Sequence, residues 1–148
     1  MLTLTRTTSE NADFQLLVRQ LDQYLAEIDG AEHGFYAQFN KIDLIRHAVV
    51  AYADGVPVGC GAFKEFEPDV VEIKRMYVVP AHRRQGVAQA VLAELEAWAA
   101  ELGYPTTVLE TGRRQPEAIA LYERCGYGPT PNYGQYVGVE NSVCLRKG

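Results

Sequence analysis

The residues best suited to chemistry sit together in the middle of the chain. Val78 to Ala88 reads Val-Val-Pro-Ala-His-Arg-Arg-Gln-Gly-Val-Ala. An apolar strand ends at Pro80, a short basic turn carries Arg83 and Arg84, and an amphipathic helix opens at Gly86. Val87, Val91, Leu92, Leu95 and Trp98 recur there at a helical period. The first amides of such a helix have no partner inside it, and the macrodipole makes that end positive. Strand, turn and bare helix start therefore form a socket for a phosphate-bearing ligand. Gly86 and Ala88 keep the wall low, and the two arginines add local positive charge. Upstream, Glu72 lies two and four residues before Lys74 and Met76. An unbroken strand puts all three on one face. A carboxylate in a partly dry cleft can hold a raised pKa and take a proton, directly or through water. Glu110, at the end of the next β-rich segment, is the rival base. The plain alternative for each is a salt-bridged carboxylate, with Lys74 or Arg75 beside Glu72.

The elements that position these groups follow from pattern. Leu2-Thr-Leu-Thr alternates and reads as a first strand. Ser9 is placed to cap a helix with Phe14, Leu17, Val18, Leu21, Leu25 and Ile28 on one stripe, ended by Asp29-Gly30. Residues 31 to 46 are aromatic, with Phe35, Tyr36 and Phe39. Ala48–Ala53 and Val56–Phe66 flank Asp54-Gly55, a strong hairpin signal. Val70–Val79 is the next strand. The central helix runs to Leu102 and stops at Gly103. Thr106–Glu110 is a short strand, Pro116 opens a helix that ends at Gly126, and Ser142–Arg146 is a last strand. An antiparallel meander followed by strand, helix, strand, helix, strand predicts an α/β fold. Its mixed sheet carries helices on both faces, with a parallel crossover in the strand-helix-strand part.

Bulk properties narrow the class. The chain has 148 residues, long enough for one domain, 1–148, with a real core. With 47% hydrophobic and 22% charged residues, it reads as soluble and globular. No apolar run approaches a membrane span, and Met1 to Glu10 lacks the apolar region of a signal peptide. The expectation is a cytoplasmic protein with no membrane partner. A net charge of -5 argues against nucleic acid as the main partner. Cys60, Cys125 and Cys144 read as reduced side chains, and His33, His47 and His82 form no ligand cluster, so no metal is expected.

Arg83-x-x-Gly86-x-Ala88 resembles the acetyl-CoA signature of the GNAT acetyltransferase superfamily, Arg/Gln-x-x-Gly-x-Gly/Ala. Upstream, Glu72-Ile-Lys-Arg-Met-Tyr-Val-Val-Pro80 is similar to that family's strand four. Downstream, Pro116-Glu-Ala-Ile-Ala-Leu-Tyr-Glu-Arg-Cys-Gly-Tyr127 is similar to its late helix and Leu-Tyr-x-x-x-Gly-Tyr/Phe ending. Three segments in order are far more specific than one glycine motif. The resemblance implies a mixed, mostly antiparallel sheet with helices on both faces. Strands four and five would splay apart at a bulge in strand four, and acetyl-CoA would enter the wedge. Periodicity alone does not reveal that wedge.

The resemblance also implies roles. Backbone groups of Met76, Tyr77 and Val78 would hold the pantetheine arm and donate to the thioester carbonyl. Arg83, Arg84, Gln85, Gly86, Val87 and Ala88 would hold the pyrophosphate. Tyr122 would be the general acid, a neutral phenol donating to the leaving thiolate. The asparagine that many members carry upstream of that tyrosine is missing, and Gln115-Pro116 stands in its place. Gln115 is therefore the expected cofactor contact. The acceptor site would draw on Phe35, Tyr36, Phe39, Asn40, Lys74, Glu110, Asn132, Tyr133, Gln135 and Tyr136. Arg113 and Arg114 could grip a substrate carboxylate or form a solvated turn. The leading expectation is transfer of an acetyl group to a primary amine of a small molecule. The alternatives are a protein N-terminus or lysine as acceptor, or a CoA-binding sensor. A homodimer is left open. The missing Gly-x-Gly-x-x-Gly and the late position of the basic turn argue against a Rossmann dinucleotide domain.

Overall fold

The computed structural model describes residues 1–30 and 45–148. Phe35, Tyr36, Phe39 and Asn40 of the expected acceptor site lie outside the described residues. Strand β1 is Leu2–Thr7, helix α1 Ala12–Asp29, β2 His47–Ala53, β3 Val56–Glu67 and β4 Val70–Val78. A 3-10 turn at Pro80–His82 leads to α2, Val87–Glu101. Strand β5, Thr106–Gly112, precedes α3, Pro116–Arg124, then β6, Gly128–Thr130, and β7, Ser142–Lys147. The strands form one seven-stranded sheet in the order β1-β2-β3-β4-β5-β7-β6. Every pair is antiparallel except β4 with β5. This is the mixed, mostly antiparallel sheet expected.

The sheet is covered on both faces, as the alternation in β2 requires. Ala48 and Val50 point into a cluster with Phe14, Leu17, Val18 and Leu21 of α1. Val49 and Ala51 point the other way, toward Val87, Val91, Leu92 and Leu95 of α2. Close approach of α2 depends on two glycines in β3. A Cβ on Gly59 would lie 2.7 Å from Val87 Cγ1, and one on Gly61 would lie 2.8 Å from Leu95 Cδ1. Asp54 and Gly55 both take positive φ, 51° and 83°, as a two-residue hairpin turn demands.

Two expectations need correction. Ser9 does not cap α1. Asn11 does, its Oδ1 accepting from Asp13 N at 2.9 Å and Phe14 N at 3.0 Å. Ser9 is buried, and its Oγ accepts from Ile45 N at 2.9 Å. The short strand β6 carried too few residues to show a pattern. The second correction matters for the site: β4 is not an unbroken strand, and it carries the bulge that the family resemblance implies. Lys74 pairs with Ala62, but Tyr77 pairs with Cys60, so β4 advances three residues while β3 advances two. The extra residue is a β-bulge centred on Arg75, whose φ is +60°. It reverses the facing of the residues beyond it. Glu72 and Lys74 share one face, while Met76 packs with Val91 and Leu95 on the other.

Candidate active site

The bulge opens the sheet. Strands β4 and β5 pair only from Val70, Val71 and Glu72 to Thr106, Thr107 and Val108. Beyond that they diverge, and Met76 to Val78, paired with β3 but no longer with β5, line a groove. The bulge itself is held from two sides. The buried Cys60 thiol donates to Arg75 O at 3.3 Å, and Arg75 Nη1 donates to Asp22 Oδ1 of α1 at 3.2 Å.

The groove has a cavity volume of about 1150 Å³. Met76, Tyr77 and Val78 form one wall, the turn and the start of α2 form its end, and α3 forms the other wall. Gly86, at φ +81°, is the N-cap of α2 and gives no side-chain cap. The amides of the first turn therefore stay free to meet a ligand. A Cβ at Gly86 would meet only Gln89 Oε1, at 3.8 Å, so the loop surface is open there. Ala88 and Gln89 line the groove. Val87 also borders it while burying its side chain in the core, but Gln85 does not reach it.

The two arginines of the turn differ. Arg83 is built into the structure, with Nε donating to Val78 O at 3.0 Å. Its guanidinium stacks over Tyr24 and Tyr77, at 5.0 and 5.7 Å from the ring centroids. Arg84 is 88% exposed and makes a long, 3.7 Å ion pair with Glu117 of α3 across the groove. Tyr24 was invisible as a site residue in sequence, since it reads as one more position on an amphipathic helix.

A second, smaller cavity of about 140 Å³ lies at the fork of β4 and β5. Glu72, Lys74 and Glu110 line it, together with Tyr136. Met76, Gln115, Ala118 and Tyr122 line both cavities, so the two spaces meet at these side chains. Tyr122 is 7% exposed and packs edge-on to Tyr127, with ring centroids 5.9 Å apart. Burial first, then Cys125 and Glu110, push its phenol pKa upward. Burial thus reinforces the protonated, neutral form that a phenol already holds near neutral pH.

Glu72 is 5% exposed and has both carboxylate oxygens engaged. Tyr133 Oη donates to Oε2 at 2.8 Å, and Lys74 Nζ stands 3.5 Å from Oε1. Burial depresses the Lys74 pKa, a larger effect than the attraction of Glu72. Tyr133 does not line the small cavity but braces it, its ring packed at a tilt against Phe66 with centroids 4.8 Å apart. Asn132 ties the same loop, its Nδ2 within 3.1 Å of the carbonyls of Tyr136, Val139 and Ser142. Arg114 borders the groove, while Arg113 is exposed and reaches neither cavity.

Splayed strands, a bare helix start and an open glycine turn fit an extended anionic ligand such as acetyl-CoA. The family model described as "Acetyltransferase (GNAT) family" matches residues 14–127. The IAA acetyltransferase of Azospirillum brasilense is 33% identical over 124 residues, which span 81% of this chain and 80% of that protein. A Klebsiella pneumoniae structure described as an acyl-CoA N-acyltransferase is 32% identical, with a TM-score of 0.82, covering 99% of this chain and 97% of that one. The PaiA N-acetyltransferase of Thermoplasma acidophilum, solved with coenzyme A, shares the fold at a TM-score of 0.70 and 16% identity, over 99% and 98% of the two chains. No helix among the described residues is long and apolar enough to cross a membrane. The chain belongs to the GNAT acetyltransferase family and is an N-acetyltransferase that uses acetyl-CoA as its co-substrate.

Proposed function

We propose that the enzyme acetylates the primary amine of a small molecule. The observation that carries this reading is the junction of two cavities at Met76, Gln115, Ala118 and Tyr122, one large and one small. The large groove suits the co-substrate. The small one, of about 140 Å³, suits a compact acceptor better than a peptide chain.

Bound acetyl-CoA supplies an acetyl group activated as a thioester. The free amides at the start of α2, with Arg84 nearby, bind phosphate charge. Backbone from Met76 to Val78 orients the extended arm along β4 and offers donors for developing negative charge. Tyr122 Oη holds the proton that meets the leaving sulfur. Its raised pKa makes full transfer uphill, so the hydroxyl acts chiefly by hydrogen-bond donation. An acceptor amine arrives as an ammonium and must lose a proton before it attacks. Glu72 is our leading base, accepting that proton on Oε1, the oxygen that faces the pocket cation. Glu110, across the fork on β5, is the rival.

The test is a thiol-release assay with acetyl-CoA across small amines, amino acids and peptides. A small amine turned over about tenfold or more faster than any peptide at equal concentration is the expected result. Preference for peptides would move the function to protein acetylation. Coenzyme A binding without turnover of any acceptor would favour a sensor.

A further inference from the structure

Lys74 is a largely buried cation that lines the small cavity. Its side chain is 12% exposed, yet among the described residues its ammonium has one partner, Glu72 Oε1 at 3.5 Å. An ammonium carries three donors, and a buried cation left short of partners is costly. Its neighbour Arg75 is held by Asp22 and turned toward α1. Glu72 in turn is shared between Lys74 and Tyr133. The remaining donors of Lys74 therefore point to a ligand group that is itself an acceptor.

We propose that the acceptor is an amino acid and that Lys74 binds its carboxylate while its amine lies toward Glu72 and Glu110. This rests on the transferase reading above and specifies its substrate. The cavity presents both signs of charge on lining side chains, Lys74 against Glu72 and Glu110. A zwitterion matches both. A diamine would set a second cation beside Lys74, where Lys64 and Arg75 already add positive potential. A dicarboxylate without an amine would face the two glutamates. The depressed pKa of Lys74 reports the same thing, since desolvation outweighs its single anionic partner. A carboxylate arriving with the substrate would favour the charged form. The volume of about 140 Å³ is of amino-acid scale.

The experiment compares the proteinogenic amino acids, their α-amides and their decarboxylated amines, using the full chain, acetyl-CoA and thiol detection. The preferred amino acid should exceed its own amide about tenfold or more in kcat/KM. Lys74→Met should remove the preference for acid over amide, with the loss falling on KM for the acid, and Lys74→Arg should restore that preference in part. Arg113→Met should leave the preference intact. A second readout needs no turnover. The preferred amino acid alone should raise the melting temperature of the wild-type protein, and its amide should not. Equal use of acids and amides would overturn the proposal, as would a preference lost in Arg113→Met and kept in Lys74→Met. If none of the compounds releases thiol while coenzyme A still raises the melting temperature, the amino-acid assignment falls and the transferase reading stands. If coenzyme A gives no shift either, the transferase reading falls with it.

Discussion

At the scale of single residues, Tyr122 and the two arginines of the turn make the sharpest claims. Tyr122→Phe keeps the ring that packs on Tyr127 and deletes only the donor. We expect kcat to fall about tenfold to several hundredfold with coenzyme A affinity nearly unchanged, as measured by turnover beside calorimetric binding. Wild-type turnover would make Tyr122 a packing residue. Arg83 and Arg84 look equivalent in sequence, but the structure separates them. Arg84 is exposed and, among the described residues, pairs with Glu117 alone, so Arg84→Ala should weaken coenzyme A by about two- to fivefold at low salt and leave the melting temperature unchanged. The effect should fade as salt rises. Arg83→Ala should lower the melting temperature as well, because it removes the tie to Val78 O and the cation stacked on Tyr24 and Tyr77. Equal melting temperatures for the two variants would contradict that division.

At the scale of elements, the site is made by one extra residue in β4. The hydrophobic pattern announces that strand, and glycine with a helical period announces α2, because both signals are local. The bulge is not local. Arg75 at φ +60° is held by Cys60 from β3 and Asp22 from α1, residues 15 and 53 positions away in sequence. Simple alternation therefore put Met76 on the face of Glu72 and Lys74, and the bulge turned it over. Similarly, Ser9 had the right chemistry for a cap but is pinned by Ile45, which left the role to Asn11. The acceptor pocket was legible only as residue types, since Lys74 and Glu110 meet where β4 and β5 part and Tyr133 reaches Glu72 from the loop before β7. The close contact of α2 with β3 gives a test at this scale. A methyl at Gly61 would lie 2.5 Å from Met76 Sδ and 2.8 Å from Leu95 Cδ1. Gly61→Ala should cost about 1–3 kcal/mol in denaturant unfolding, since the crowd includes core atoms of a packed helix. It should also weaken coenzyme A, because Met76 lines the groove. Wild-type stability would mean that α2 shifts freely, and that the glycines do not set the depth of the groove.

At the scale of the whole molecule, the fork in the sheet concentrates tyrosines where helices, strands and the final loop meet. Tyr122, Tyr127, Tyr133 and Tyr136 are all largely buried there, and burial is the first cause of an upward pKa shift for each. Tyr52, on the opposite face, is pushed up to about 12, by burial and by its bond to Asp13. The Cys60 thiol rises to about 12 and Cys144 to about 11. In each case the folded protein holds its proton beyond the ordinary value. The native state therefore binds more protons than the unfolded chain once pH exceeds about 10 for the phenols and about 8.5 for the thiols. Stability from these groups is fully present below those values and is lost as pH rises toward the folded-state pKa values. We expect alkaline unfolding to be cooperative. The phenolate absorbance of the buried tyrosines should appear together with the loss of near-ultraviolet circular dichroism, above about pH 10. Tyr122→Phe should lessen the steepness of that loss, having removed one linked proton. Smooth ionisation of every tyrosine near its ordinary pKa, with the fold still intact, would show that the fork is wet. A wet fork would undercut the poorly solvated Lys74, whose pairing depends on the exclusion of water where the strands part.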